Sequence, residues 1–298
     1  MEKTKVYYCK DVKSEKLIDL FKILGKELKG NIAVKVHSGE VGNQNYLKPE
    51  FWKPLVDYVG GTIVECNTAY GERFGDGKRD LTESHLKVIE EHGWNKYFNV
   101  DLMDAEGPDI EIDVANGNYL TKDILGKNIE KYDSMLVLSH FKGHPAGGYG
   151  GALKQLSIGC ASRAGKALIH SAGVSSDPIK CWDYNDQNGF LESMAEAASA
   201  VYKYFNGNMV FINVMANMSV DSDCCSDAEY PCMKDKGVLI SLDPIAIDQA
   251  CIDIVVNSDD PGKEHFMERV NSRNGIHTIE RAAELGFGTR EYELIEID

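Results

Sequence analysis

The stretch MLVLSHFKGHPAGGYGGALKQLSIGCASRAGK, residues 135–166, decides how the rest of the chain is read. It opens on an apolar run, Met135 to Leu138, of the length of a buried strand. The run breaks at His140 into a loop with two histidines and five glycines: His140, Gly143, His144, Gly147, Gly148, Gly150 and Gly151. A helix is expected from Ala152, and the stretch ends in Cys160, Arg163 and Lys166. No other window places so much ligand-type chemistry between a strand and a helix. The stretch locates a site without naming its reaction.

Working outward, apolar periodicity predicts strands at 5–9, 31–36, 62–65, 110–114, 208–215, 236–242 and 291–297, with a further short strand at the start of DLMDAEGPDIEIDV. Helices are expected at 15–28 with Ser14 as N-cap, and at 50–59, 82–91, 121–130 and 193–205. Three more follow, from Pro244 through Val256, near 263–271 and near 278–285. This alternation implies an α/β fold, a mostly parallel or mixed central sheet with helices on both faces. With no internal repeat or linker, residues 1–298 read as a single domain. The irregular 167–188 segment is the one candidate division, into lobes 1–188 and 189–298.

The chain has 298 residues, 27% of them charged, and a net charge of −15. Such an acidic balance argues against nucleic-acid and anionic-membrane partners, which need a basic surface. The opening MEKTKVYYCKDVKSEK lacks the apolar run of a secretory signal, and a cytoplasmic location is expected. Eight cysteines in that compartment read as reduced thiols, metal ligands or redox groups rather than disulfides.

Polar residues recur just after strands: His37, Asn67, Asp104, His140, Asn217 and Asp243. Ligands bind beyond the carboxyl ends of strands in open α/β sheets, so a shared cleft is expected. His140 and His144 can act there as metal ligands or as an acid/base pair, or they can cap backbone and face solvent. His37 with Glu40 is another acid/base candidate, whereas His85 reads equally as a satisfied helix histidine.

Gly147, Gly148, Gly150 and Gly151 precede a helix, and bare amides there make an anion site. Neither standard phosphate pattern is complete, since Leu153 stands where GxGxxG needs its last glycine. The loop suits a small carboxylate or phosphate, with Lys142, Lys154, Arg163 or Lys166 as counter-charge, or else a tight turn needing positive φ. A second cluster, MANMSVDSDCCSDAEYPC, offers Asp221, Asp223, Cys224, Cys225 and Cys232. One thiolate from it, with His140 or Cys160, would suit a transition metal. Asp243-Pro244 reads as an N-cap with proline at N1, and Asp248 as a solvated or dipole-stabilising residue.

The central stretch closely resembles the hallmark of the domain-of-unknown-function family numbered 362. The likeness continues in VKVHSGEVGNQNYLKP, ECNTAYGERFGDGKRDLTESHLKVIEEHGW, MSVDSDCC and GVLISLDPIAIDQACIDIV. The resemblance implies functional placement for His140, Gly143, His144, Gly150, Gly151, Lys154, Cys160, Asp223 and Cys224. Many such relatives carry a ferredoxin-like insertion with two four-cysteine motifs. Residues 167–189 hold only Cys181, so this chain is not expected to build 4Fe-4S clusters there.

Two functions are therefore expected. The first is an enzyme acting on a small anionic metabolite, with His140, His144 and His37 as catalytic groups and Gly147, Gly148, Gly150, Gly151 and Lys154 as the cofactor or anion cradle. His140, His144, Cys160, Asp223 and Cys224 would be its metal ligands. The alternative is a non-enzymatic metal or iron–sulfur carrier, or an electron-transfer protein with a ferredoxin-type or homo-oligomeric partner.

Overall fold

The computed structural model describes residues 3–71 and 77–297; part of the stretch ECNTAYGERFGDGKRD lies outside them. The first half supplies strands β1 (Thr4–Cys9), β2 (Ile32–Lys35), β3 (Thr62–Glu65), β4 (Val100–Leu102), β5 (Ile110–Asp113), β6 (Lys122–Leu125) and β7 (Ser134–His140). The second supplies β8 (Lys142–His144), β9 (Gly148–Gly150), β10 (Met209–Met215), β11 (Gly237–Ser241) and β12 (Tyr292–Glu296). Eight of these form one mixed sheet in the order β12-β1-β11-β10-β7-β2-β3-β4, making the fold α/β. The five strands from β10 to β4 run parallel, so their carboxyl ends share one edge.

The parallel strands are continuous apolar runs because both faces of the sheet are covered. Leu136 and Leu138 of β7 point to one side, where α1 (Ser14–Leu24) and α2 (Pro49–Val59) bring Leu17, Leu20, Trp52 and Leu55. Met135 and Val137 point to the other. There they meet α4 (Ala152–Leu156), α6 (Gln187–Tyr204) and α7 (Pro244–Val256). The remaining helices are α3 (Thr82–Glu91), α5 (Arg163–His170), α8 (Lys263–Ser272) and α9 (Ile276–Glu284). No helix among the described residues is long and apolar enough to cross a membrane.

Several local expectations need correction. Helix α1 ends at Leu24 because Gly25 turns left-handed, at φ +66°, and closes its N–H onto the Lys22 carbonyl. Ser14 is already helical, and Lys13 takes the N-cap position without a side-chain bond. The expected helix at 121–130 is instead β6 followed by a short 3-10 turn. Ile110 and Ile112 alternate, and their strand needs a partner; β6 supplies it in antiparallel register, Ile110 opposite Leu125. Helix α6 starts at Gln187, capped by Asp186 accepting from the Gly189 N–H at 2.8 Å.

The glycine loop is a hairpin. β8 and β9 pair antiparallel, His144 opposite Gly148, and Gly148 makes the turn at φ +79°. Asp243 follows β11, which runs antiparallel to β10, so it lies at the sheet edge opposite the shared carboxyl ends. It caps α7, accepting from the N–H groups of Ile245 and Ala246.

Candidate functional site

Beyond the carboxyl ends of β2, β3 and β7 lies a cavity of about 450 Å³. His37 and Glu40 reach it from the turn after β2, Cys66 and Tyr70 from β3, and His144 from the hairpin after β7. The loop after β10 brings Cys224 and Cys225, while α4 and α5 contribute Lys154, Lys166 and His170. A volume of this size suits a small molecule.

Cys224 is the chemical centre of the cavity. His144 places Nε2 3.7 Å from its sulfur, and Ser222 Oγ lies 2.9 Å away. The His144 ring is oriented by its other nitrogen, Nδ1, which accepts from the N–H groups of Ala146 (3.1 Å) and Gly147 (2.9 Å). That fixes the ring hydrogen on Nε2, facing the sulfur. His37 lines the same cavity: its Nδ1 accepts from the Gly39 N–H at 3.1 Å, and its Nε2 lies 3.5 Å from the Arg79 guanidinium. Cys225, the next residue, opens onto the same cavity.

The neighbouring Cys225, His144 and His37 together hold the Cys224 thiol well below the ordinary thiol range, Cys225 most strongly, against burial, which pushes it up. Burial and the nearby cation Arg79 bring His37 down to about 4, and burial with Lys154 does the same for His144. With both rings uncharged at neutral pH, the cavity sets the Nε2–H of His144 against the Cys224 sulfur, an environment that favours the thiolate form.

A second layer is ionic. Buried Arg79 donates from Nε to Glu40 at 3.1 Å and from its terminal nitrogen to the Tyr70 hydroxyl at 2.8 Å. Lys35 Nζ lies 2.6 Å from Glu65, which also accepts from the Ser38 N–H at 2.8 Å. Burial would raise the Glu65 carboxyl, but the cations Lys35 and Arg79 outweigh it and hold it below the usual range. Lys154 and Lys166 differ, since neither has a carboxylate partner among the described residues. Lys166 donates to the Ala161 carbonyl at 2.6 Å. Burial lowers Lys154 to about 8. Two lysines without carboxylate partners among the described residues thus line the cavity of an acidic protein.

Other predicted residues are placed elsewhere. His140 lies on β7 with both ring nitrogens engaged, Nδ1 at 2.8 Å from Asp223 and Nε2 at 2.5 Å from the Ala216 carbonyl. With both ring nitrogens engaged by oxygen partners, His140 has neither bare for a metal or for base catalysis. Asp223 is held between His140 and Lys142 Nζ, 2.9 Å away, and this anchors the loop carrying Cys224. Cys160 is fully buried in the core, where burial pushes its thiol up to about 12. It is not a thiolate. The five expected metal ligands thus do not converge, and no group of three His, Cys, Asp or Glu among the described residues could hold a metal ion.

The glycine cradle is also filled from within. Asp248, fully buried rather than solvated, accepts from the N–H groups of Ala152 (2.7 Å) and Leu153 (3.0 Å). A Cβ on Gly151 would stand 2.5 Å from that carboxylate, and one on Gly143 would meet the Val220 backbone at 2.3 Å. Gly147 gives its N–H to His144. Gly150 lies between the stems of Lys142 and Lys154. The glycines let backbones approach closely, and of the expected cradle only Lys154 lines the cavity.

The remaining post-strand residues are structural. Asn67 bonds His85, a satisfied buried histidine whose other ring nitrogen lies 3.3 Å from Ser38 Oγ. Asp104 accepts from the Asn67 and Arg163 N–H groups, and Asn217 bonds the Asn45 carbonyl. Arg79, Glu65, His170 and Trp182 line the cavity without having been singled out by sequence. His170 stacks on Phe190 at 4.7 Å and lies 4.8 Å from Trp182. Its place one helical turn after Lys166 was the only available signal.

A family model described as domain of unknown function (DUF362) matches residues 32–253. Among solved structures, the chain is similar to the lactate racemase apoprotein from Thermoanaerobacterium thermosaccharolyticum, at 12% identity and a TM-score of 0.48. That match covers 84% of this chain and 56% of the other. A protein from Thermotoga maritima matches at 12% identity and a TM-score of 0.42, over 91% of this chain and 58% of that one. The chain thus spans less than two thirds of either protein's length. No curated protein matches.

Proposed function

The chain belongs to the DUF362 family, and we propose that it is a cysteine-dependent enzyme acting on a small anionic metabolite in the cavity around Cys224. The carrying observation is the cavity that gathers Cys224, Cys225, His37 and His144, with His144 Nε2 3.7 Å from the Cys224 sulfur. A thiolate held at neutral pH is a nucleophile that needs no separate base. It would attack an electrophilic carbonyl or acyl carbon, its lone pair forming the C–S bond while the carbonyl pair moves to oxygen. The His144 N–H group, released from the sulfur as its charge is spent, is available to that oxygen. Lys154 and Lys166 would hold the substrate's carboxylate or phosphate.

Iodoacetamide labelling followed by peptide mass analysis tests the premise. At pH 6 an ordinary thiol is under ~1% thiolate. Cys224 should therefore label about tenfold or more faster than Cys232, whose thiol burial pushes up. Its rate should stay nearly flat to pH 8. A Cys224 rate that matches Cys232 and climbs with pH would refute the reading.

A further inference from the structure

Cys224 has an immediate neighbour in Cys225, and the pair has a chemistry that substrate turnover does not use. Both line the cavity, both are partly exposed, and neither is in a disulfide. The two are adjacent in the chain and open onto the same cavity, with His144 Nε2 3.7 Å from the Cys224 sulfur. The other thiols in reach are poorly placed. Cys66 is engaged with the Cys160 carbonyl at 3.4 Å, and Cys232 with the Met218 carbonyl at 3.4 Å. Neither contacts Cys224.

We propose that Cys224–Cys225 is a hydroperoxide-sensitive modification site, at which a sulfenic acid formed on Cys224 is resolved by Cys225 into a vicinal disulfide. The inference rests on the same Cys224 thiolate as the catalytic reading but concerns a different co-reactant. In the first step the thiolate attacks the nearer oxygen of a hydroperoxide. An S–O bond forms, the O–O bond breaks, and the leaving alkoxide or hydroxide takes a proton. Lys154, an ammonium without a hydrogen-bond partner among the described residues, and the His144 N–H group are the donors at hand. In the second step the Cys225 sulfur displaces the hydroxyl from Cys224, and its proton leaves with that hydroxyl as water. The net result is two thiols oxidised and one hydroperoxide reduced.

The product has a built-in limit. Adjacent Cα atoms stand about 3.8 Å apart, closer than the usual ~4.4–6.8 Å of a bridged pair. A ring so constrained is strained and readily reduced, so two equivalents of a low-molecular-weight thiol should reopen it. While closed, it removes the nucleophile. Oxidation would thus switch the cavity off reversibly and protect Cys224 from irreversible sulfinic acid.

The test uses the whole chain, as wild type, Cys225→Ser and Cys232→Ser, exposed to one equivalent of hydrogen peroxide and then to dimedone, a sulfenic-acid trap. Wild type and Cys232→Ser should each lose about 2 Da, show no dimedone adduct and regain the mass with glutathione. Cys225→Ser should keep Cys224 as sulfenic acid, trapped by dimedone, or pass to a gain of about 32 Da without it. A dimedone adduct or sulfinic acid in the wild type overturns the proposal. So does a 2 Da loss that persists in Cys225→Ser, or a wild type inert to peroxide. Inertness to peroxide alongside fast, pH-flat alkylation of Cys224 would defeat this inference alone and leave the catalytic reading standing.

Discussion

Acidification should expose His144. The ring is 5% exposed, and its Nδ1 accepts two backbone N–H groups, so a proton placed there meets two donors head-on. Burial and Lys154 keep it neutral down to about pH 4, whereas in the unfolded chain it protonates near 6.5. Between those values the unfolded state binds the extra proton, so stability falls with pH. The contribution is intact above pH 6.5 and lost as pH drops to 4, by about 3 kcal/mol in full and about 2 kcal/mol by pH 5. His144→Asn puts a carbonyl oxygen near the Nδ1 position and removes the titration. Urea unfolding followed by tryptophan fluorescence at pH 7.5 and pH 5 gives the comparison. The wild type should lose about 2 kcal/mol more than the variant over that interval. Asp123, raised to about 7 by burial, and Asp248, raised to about 6 for the same reason, act the other way. Both are present in the two proteins and cancel in the difference. Equal losses in wild type and variant would refute the argument.

Two further substitutions probe the frame around the site. Asp248→Ala strands four donors, the N–H groups of Ala152 and Leu153, Asn213 Nδ2 at 2.7 Å and the Tyr149 hydroxyl at 3.1 Å. It should cost about 4 kcal/mol in chemical denaturation, and a loss under about 1 kcal/mol would contradict the placement. Arg281→Met leaves fully buried Glu196 without the guanidinium that meets it at 3.0 Å. A loss of about 3–5 kcal/mol is expected. Adding Glu196→Gln should recover part of it, because the uncharged amide needs no guanidinium and its oxygen still accepts from the backbone at Tyr119 and Leu120, losing only the Asn118 bond to the other oxygen.

What the sequence reveals here follows from how far apart the deciding partners lie. β7 and β10 are legible because a strand buried on both faces is a continuous apolar run, a local property. β6 is not, since its strand state depends on pairing with β5 in a register that no local propensity announces. The site divides along the same line. The cluster around residues 221–232 marks itself by composition, and the resemblance carried Cys224, but neither gave the state of its sulfur. That depends on His144, 80 residues away, and on a hairpin that turns Nδ1 toward backbone donors. His140 and His144 are four residues apart and alike in type. One lies on β7 and is held by Asp223 and a backbone carbonyl, and the other turns at the hairpin and faces the cavity. Lys142 and Lys154 divide similarly, the first neutralised by Asp223 and the second left without a carboxylate. Residue type announces that charge and imidazole gather near the carboxyl ends of the strands. Which of them faces the cavity is settled by pairings that tie His140 and Lys142 to Asp223 and leave His144 and Lys154 without a carboxylate, and such pairings exist only after the chain has folded.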